Sequence, residues 1–119
     1  MKQILIADTR KENILSAMLI LESNSIIFPA RSKNWMMKVL KGKNIDLIIL
    51  NTSIATTDTL EVIKKIRRSE KYKNVPFIIT GGSTINEIDI VTQCVQMEKC
   101  EAIVMPFDNT ELSEMVEKM

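Results

Sequence analysis

The chain predicts a doubly wound α/β domain built on one parallel sheet, and two observations carry that reading. Five short, continuous apolar runs recur along its 119 residues, as expected of strands buried on both faces. Between them apolar residues return at helical spacing, as expected of crossover helices. Strand and helix alternate in order, and right-handed crossovers on such a chain cover both faces of the sheet. The length suits one domain, residues 1–119, with a single sheet and no second core.

The first run, Ile4 to Ala7, leads to a helix carrying Ile14, Met18 and Leu21, with Thr9 and Glu12 at capping-box spacing ahead of it. The second run is Ile26 to Phe28. The helix after it buries Met36, Val39 and Leu40, which turns Trp35 or Met37 partly outward, to pack at the helix edge or to meet a partner. Leu47 to Leu50 forms the third run. Asp58 with Glu61 then starts a helix through Leu60, Ile63 and Ile66. Phe77 to Ile79 is followed by the pair Thr84 and Glu87, and Ala102 to Met105 by Asp108 and Glu111, which open a last helix carrying Leu112, Met115 and Val116. In such sheets ligands sit at the carboxyl ends of the strands, so function is sought after Ala7, Leu50, Thr80 and Met105.

Composition removes several chemistries. Sixteen basic against fifteen acidic residues leave a net charge of +1, with no overall field toward nucleic acid or an anionic membrane. No run approaches the roughly 20 residues of a bilayer span, and Met1-Lys2-Gln3 enters the first run without a signal-peptide pattern, so a cytoplasmic location is expected. Histidine is absent, which removes the commonest metal ligand and general base. Cys94 and Cys100 read as reduced, buried thiols with no redox role. Lys64, Lys65, Arg67, Arg68, Lys71 and Lys73 surround Tyr72 in the one basic cluster, which reads as a solvated helix end and not as a nucleic-acid site.

Several local matches point to one family. Lys2-Gln3-Ile4-Leu5-Ile6-Ala7-Asp8 is a strand with a terminal acid, and Asp46-Leu47-Ile48-Ile49-Leu50-Asn51 a strand ending in a polar residue. Leu60 to Arg67, Val75-Pro76-Phe77-Ile78-Ile79 and Met105-Pro106-Phe107-Asp108 follow in the matching order. Together they resemble the receiver domain of two-component response regulators across essentially the whole chain. That resemblance implies a flavodoxin-like (βα)5 fold with strand order 2-1-3-4-5. It also implies a phosphoryl group accepted by an aspartate after the third strand, with Mg²⁺ held by that aspartate and an acidic pair after the first.

Against the family's pattern the acceptor position holds Asn51, whose amide lacks the charge to attack phosphorus. Of the acidic pair only Asp8 matches, with Thr9 beside it, so Mg²⁺ binding is expected to be weak or absent. Met105 stands where the family has a lysine that pairs with the phosphoryl group. The switch hydroxyl falls on Gly81 when counted from Pro76, or on Thr80 after a shift of one residue, and the switch aromatic falls on Ala102. Ala55 and Thr59 replace the proline and glycine of the following loop.

Asp8 reads as a residual cation ligand or as a carboxylate serving exposed amides at a helix start, and Thr9 as a helix cap. Thr80-Gly81-Gly82-Ser83 reads as turn chemistry or as a set of amides for an anion. The expectation is therefore a degenerate, non-catalytic receiver that needs no cofactor and works through a protein partner or an effector domain following Met119. By resemblance, the face of the fourth helix, fifth strand and fifth helix would bind that partner or form a homodimer, with no nucleic acid or membrane involved. Two other readings stand beside it. One is an unorthodox phosphoacceptor, through deamidation of Asn51 or use of Asp8. The other is a flavodoxin-type ligand binder, for which Asp8-Thr9-Arg10-Lys11 offers no phosphate loop.

Overall fold

Runs of isoleucine and leucine form strands here because branched side chains pack well on a pleated surface and find helices on both sides of it. In the computed structural model, which describes residues 1–119, β1 spans Lys2–Ala7, β2 Ser25–Ala30, β3 Leu47–Asn51, β4 Phe77–Gly81 and β5 Cys100–Val104. Helices α1 Lys11–Leu21, α2 Lys33–Gly42, α3 Thr59–Arg67, α4 Ile85–Cys94 and α5 Asn109–Lys118 follow them in turn, with short 3-10 turns at Thr56–Asp58 and Glu70–Tyr72. All neighbouring strands pair in parallel, in the order β2-β1-β3-β4-β5.

Alternation along the strands divides the interior into two cores. Leu5, Ala7, Ile48, Leu50, Phe77 and Ile79 face α2, α3 and α4, where they meet Met36, Leu40, Ile63, Ile66 and Cys94. Ile4, Ile6, Leu47, Ile49, Ile78 and Ile103 face α1 and α5, where they meet Ile14, Ala17, Leu21, Leu112 and Val116. Burial on both faces holds for the three inner strands but not for the edges. Ile26 of β2 is exposed and Ile27, Phe28 and Pro29 are half-buried, and Val104 of β5 is exposed. Pro29 lies within β2, where an edge strand tolerates the missing donor.

Two of the four expected caps form. Thr84 and Glu87 make a reciprocal capping box on α4, and Asp108 accepts the Glu111 amide at α5. Thr9 caps nothing, because α1 begins at Lys11 with Arg10 ahead of it, and the preceding carboxylate of Asp8 takes the Arg10 amide instead. Asp58 closes a 3-10 turn and lacks the extended backbone from which a side chain reaches back to its helix. Ser32, unassigned from the sequence, caps α2 by accepting the Trp35 amide. Trp35 is left half-exposed, while Met37 packs against the core.

The basic cluster is partly structural. Arg67 donates to the carbonyls of Val75 and Lys99, and Lys71 donates to those of Leu40 and Lys43 at the end of α2. The buried Tyr72 hydroxyl lies 2.6 Å and 2.7 Å from the same two carbonyl oxygens and accepts the Ile45 amide. Cys94 and Cys100 are unpaired and buried. Burial pushes the Cys94 thiol up to about 11, with Cys100 adding to it, so the thiolate needed for redox chemistry is scarce. Tyr72→Phe removes the only side-chain donor between the 3-10 turn Glu70–Tyr72 and α2 besides Lys71, and is expected to cost about 1–2 kcal/mol, read as a lower urea midpoint at unchanged slope.

Candidate functional site

Parallel pairing places the carboxyl ends of β1, β3, β4 and β5 side by side. Asn51, the last residue of β3, pairs in register with Thr80 of β4, and both are buried. A buried amide must be satisfied on both of its atoms. Asn51 Nδ2 donates to Thr80 Oγ1 at 2.9 Å, and Asn51 Oδ1 accepts the Ser53 amide at 2.9 Å. Ser53 in turn accepts the Thr9 amide at 3.3 Å, which joins the loop after β3 to the end of β1.

Asp8 is buried at the end of β1, yet both carboxylate oxygens have partners, the Arg10 amide at 2.9 Å and Asn13 Nδ2 at 2.9 Å. Burial pushes its carboxyl above the ordinary range of 3.8, and those two hydrogen bonds offset part of the rise. Thr9 itself is exposed, and its carbonyl accepts two bonds from the Arg31 guanidinium. Met105 follows β5, half-buried, with its amide donating to Gly81 at 3.4 Å.

At the end of β4 the two positions considered for a switch hydroxyl differ sharply. Gly81 has φ +138, and a Cβ built on it would stand 2.5 Å from Thr52 Oγ1. Only glycine fits there without displacement. Thr80 carries the hydroxyl that reaches Asn51. The amides after Gly82, a candidate set for an external anion, already hold one: Glu87 Oε2 accepts from the Ser83 amide at 3.0 Å, the Ser83 hydroxyl at 2.6 Å and the Thr84 amide at 3.1 Å. Its other oxygen accepts the Thr52 hydroxyl at 3.3 Å. The Ser83 hydroxyl, ahead of the other donors, holds the Glu87 carboxyl below its usual range.

The strand ends carry Asp8, Thr9, Asn51, Thr80, Gly81 and Met105. Thr52, Ser53 and Arg31, not singled out from the sequence, complete the network together with Glu87. Glu87 was legible only as a cap, since nothing local reveals that its second oxygen reaches β3.

Residues 4–117 match the family model of the response regulator receiver domain. The chain belongs to that family. Solved structures agree on the fold. The N-terminal signal receiver domain of a two-component response regulator from Bacteroides fragilis superposes with a TM-score of 0.85 at 20% identity, over 99% of this chain and 95% of that one. A response regulator from Thermotoga maritima gives 0.84 at 19% identity, over 98% and 95%. A receiver-modulated diguanylate cyclase from Pelobacter carbinolicus gives 0.78 at 21% identity, over 99% and 91%. The chain is thus a receiver domain of two-component signalling, with strand order 2-1-3-4-5. None of its helices is long and apolar enough to cross a membrane.

Two outcomes test this geometry. Gly81→Thr is expected to destabilise the domain by more than about 2 kcal/mol, from backbone strain and overpacking together. Adding Thr52→Ala should recover part of that loss in a double-mutant cycle by chemical denaturation. For Asp8, a folded-state pKa raised above the unfolded one favours folding only at low pH, and that advantage is lost as pH rises through the folded value. Asp8→Asn is therefore expected to show a higher urea midpoint than the parent at pH 7, with the gap closing as pH falls toward 3.8.

Proposed function

We propose that this receiver signals by contact with a protein partner and takes no phosphoryl group at the usual strand-end position. The observation that carries the reading is the neutral amide of Asn51, engaged at both its atoms, by Thr80 and by the Ser53 backbone. An amide oxygen has neither the charge to attack phosphorus nor the ability to form an ordinary acyl phosphate.

The surroundings support it. Mg²⁺ takes several anionic oxygens together with near-ideal octahedral geometry. Here the carboxylates of Asp8 and Glu87 are each engaged at both oxygens, and no three histidine, cysteine, aspartate or glutamate side chains converge anywhere in the chain. The residues present fit that ion poorly. Met105 offers a thioether in the place where an ammonium would face a phosphoryl group. Loss of the lysine is consistent with loss of the carboxylates, since a partly buried cation without counter-charges carries a desolvation cost. The domain on this reading is not an enzyme.

By family resemblance, the α4-β5-α5 face would carry the partner contact or a homodimer. Ile85, Ile88 and Val104 are exposed there, as a contact surface requires. On incubation with acetyl phosphate and Mg²⁺, the intact mass of the native chain is expected to stay unchanged, while a receiver with an intact acidic site labelled alongside gains one phosphoryl group. A stoichiometric, hydroxylamine-labile adduct on the native chain overturns the proposal.

A further inference from the structure

A net charge of +1 conceals a strong segregation of charge. Residues 31–43 hold five basic and no acidic residues, and residues 59–73 hold six basic and two acidic. These two segments contain α2 and α3, which lie on the same face of the sheet, and they carry eleven of the sixteen basic residues of the chain. The remainder of the chain is acidic, so the cations are concentrated on these two neighbouring helices and the segments flanking them. The two acids within these segments, Glu61 and Glu70, are already paired with Lys64 and Lys73.

Between these helices runs a cleft of about 430 Å³ with Met37, Leu40, Ile66 and Tyr72 among its walls and Lys41 and Lys65 beside them. Both lysines are exposed, and neither belongs to an ion pair. An apolar slot bordered by unpaired cations is complementary to a segment that offers large apolar side chains flanked by carboxylates. We propose that the α2–α3 cleft docks an acidic amphipathic segment of a partner protein. The proposal rests on the contact-module reading for its role in signalling, and adds a second surface distinct from the α4-β5-α5 face.

Charge alone would also suit a nucleic acid, but phosphate contacts use cations at a surface and leave an apolar slot unfilled. Base stacking needs an open aromatic face, and Tyr72 is buried with its hydroxyl committed to α2. The apolar walls therefore favour apolar peptide side chains over nucleobases.

The test uses the whole chain and three fluorescein-labelled probes in an anisotropy titration. The first is a glutamate-rich helical peptide with leucines at i, i+4 and i+7, the second the same peptide with serine for each leucine, and the third a short DNA duplex. The leucine peptide is expected to bind, to weaken with added salt, and to bind at least about tenfold more tightly than the serine peptide. The double variant Lys41→Glu, Lys65→Glu should lose at least about tenfold while its thermal unfolding stays as in the parent.

Equal binding of the two peptides, tighter binding of the duplex, or no binding of the leucine peptide up to about 1 mM overturns the proposal. Self-association of the chain that the double variant abolishes also overturns it, since the occupant is then a second copy. The phosphoryl-labelling assay is independent of these probes. A mass adduct with peptide binding would sink the phosphorylation-independent reading and leave the cleft standing, and the converse pair of results would do the opposite.

Discussion

The structure is organised around the two-sided burial of β3. All five of its residues are buried, so helices must lie on both faces of the sheet, and β1 and β4 must flank it to take up its backbone groups. The row ends in Asn51, a polar side chain at a buried position. Such a group costs free energy unless each of its atoms finds a partner. Register decides what those partners are, because the parallel ladder sets Thr80 opposite Asn51 and brings the loop after β3 against the end of β1. The strand-end network is in this sense a consequence of where one apolar run stops.

The same constraint links the chemistry of neighbouring positions. The carboxylate of Asp8 is served by a backbone amide and Asn13, and its position ahead of α1 suits the positive end of that helix. A lysine in place of Met105 would find no free carboxylate among these groups. On the proposed reading the neutral Asn51 and the thioether of Met105 are consistent with each other, since neither needs a counter-charge.

Much of this was legible in the sequence, because the informative signals are local. Apolar runs and helical spacing identify strands and helices within a few residues, and Thr84 with Glu87 or Asp108 with Glu111 mark helix starts through contacts three residues apart. The errors have non-local causes. Edge exposure of Ile26 and Val104 depends on strand order, which the runs do not encode. Thr9 and Asp58 show the right spacing on the wrong backbone. The reach of Glu87 to Thr52 and of Arg31 to Thr9 spans separate βα units, so no window of sequence contains either pair. The segregation of charge was hidden for a similar reason, since α2 and α3 become neighbours only after the chain crosses the sheet.

The clamp that joins the end of α2 to the 3-10 turn after α3 has a mechanical consequence. Tyr72 and Lys71 both bind the carbonyls of Leu40 and Lys43, so the two helices are fastened at one end while their inner sides share a core. A displacement of either helix is transmitted to the other through short, directional bonds. On the proposed docking, a cleft fastened in this way would meet its segment as a preformed surface, with little receptor disorder to overcome.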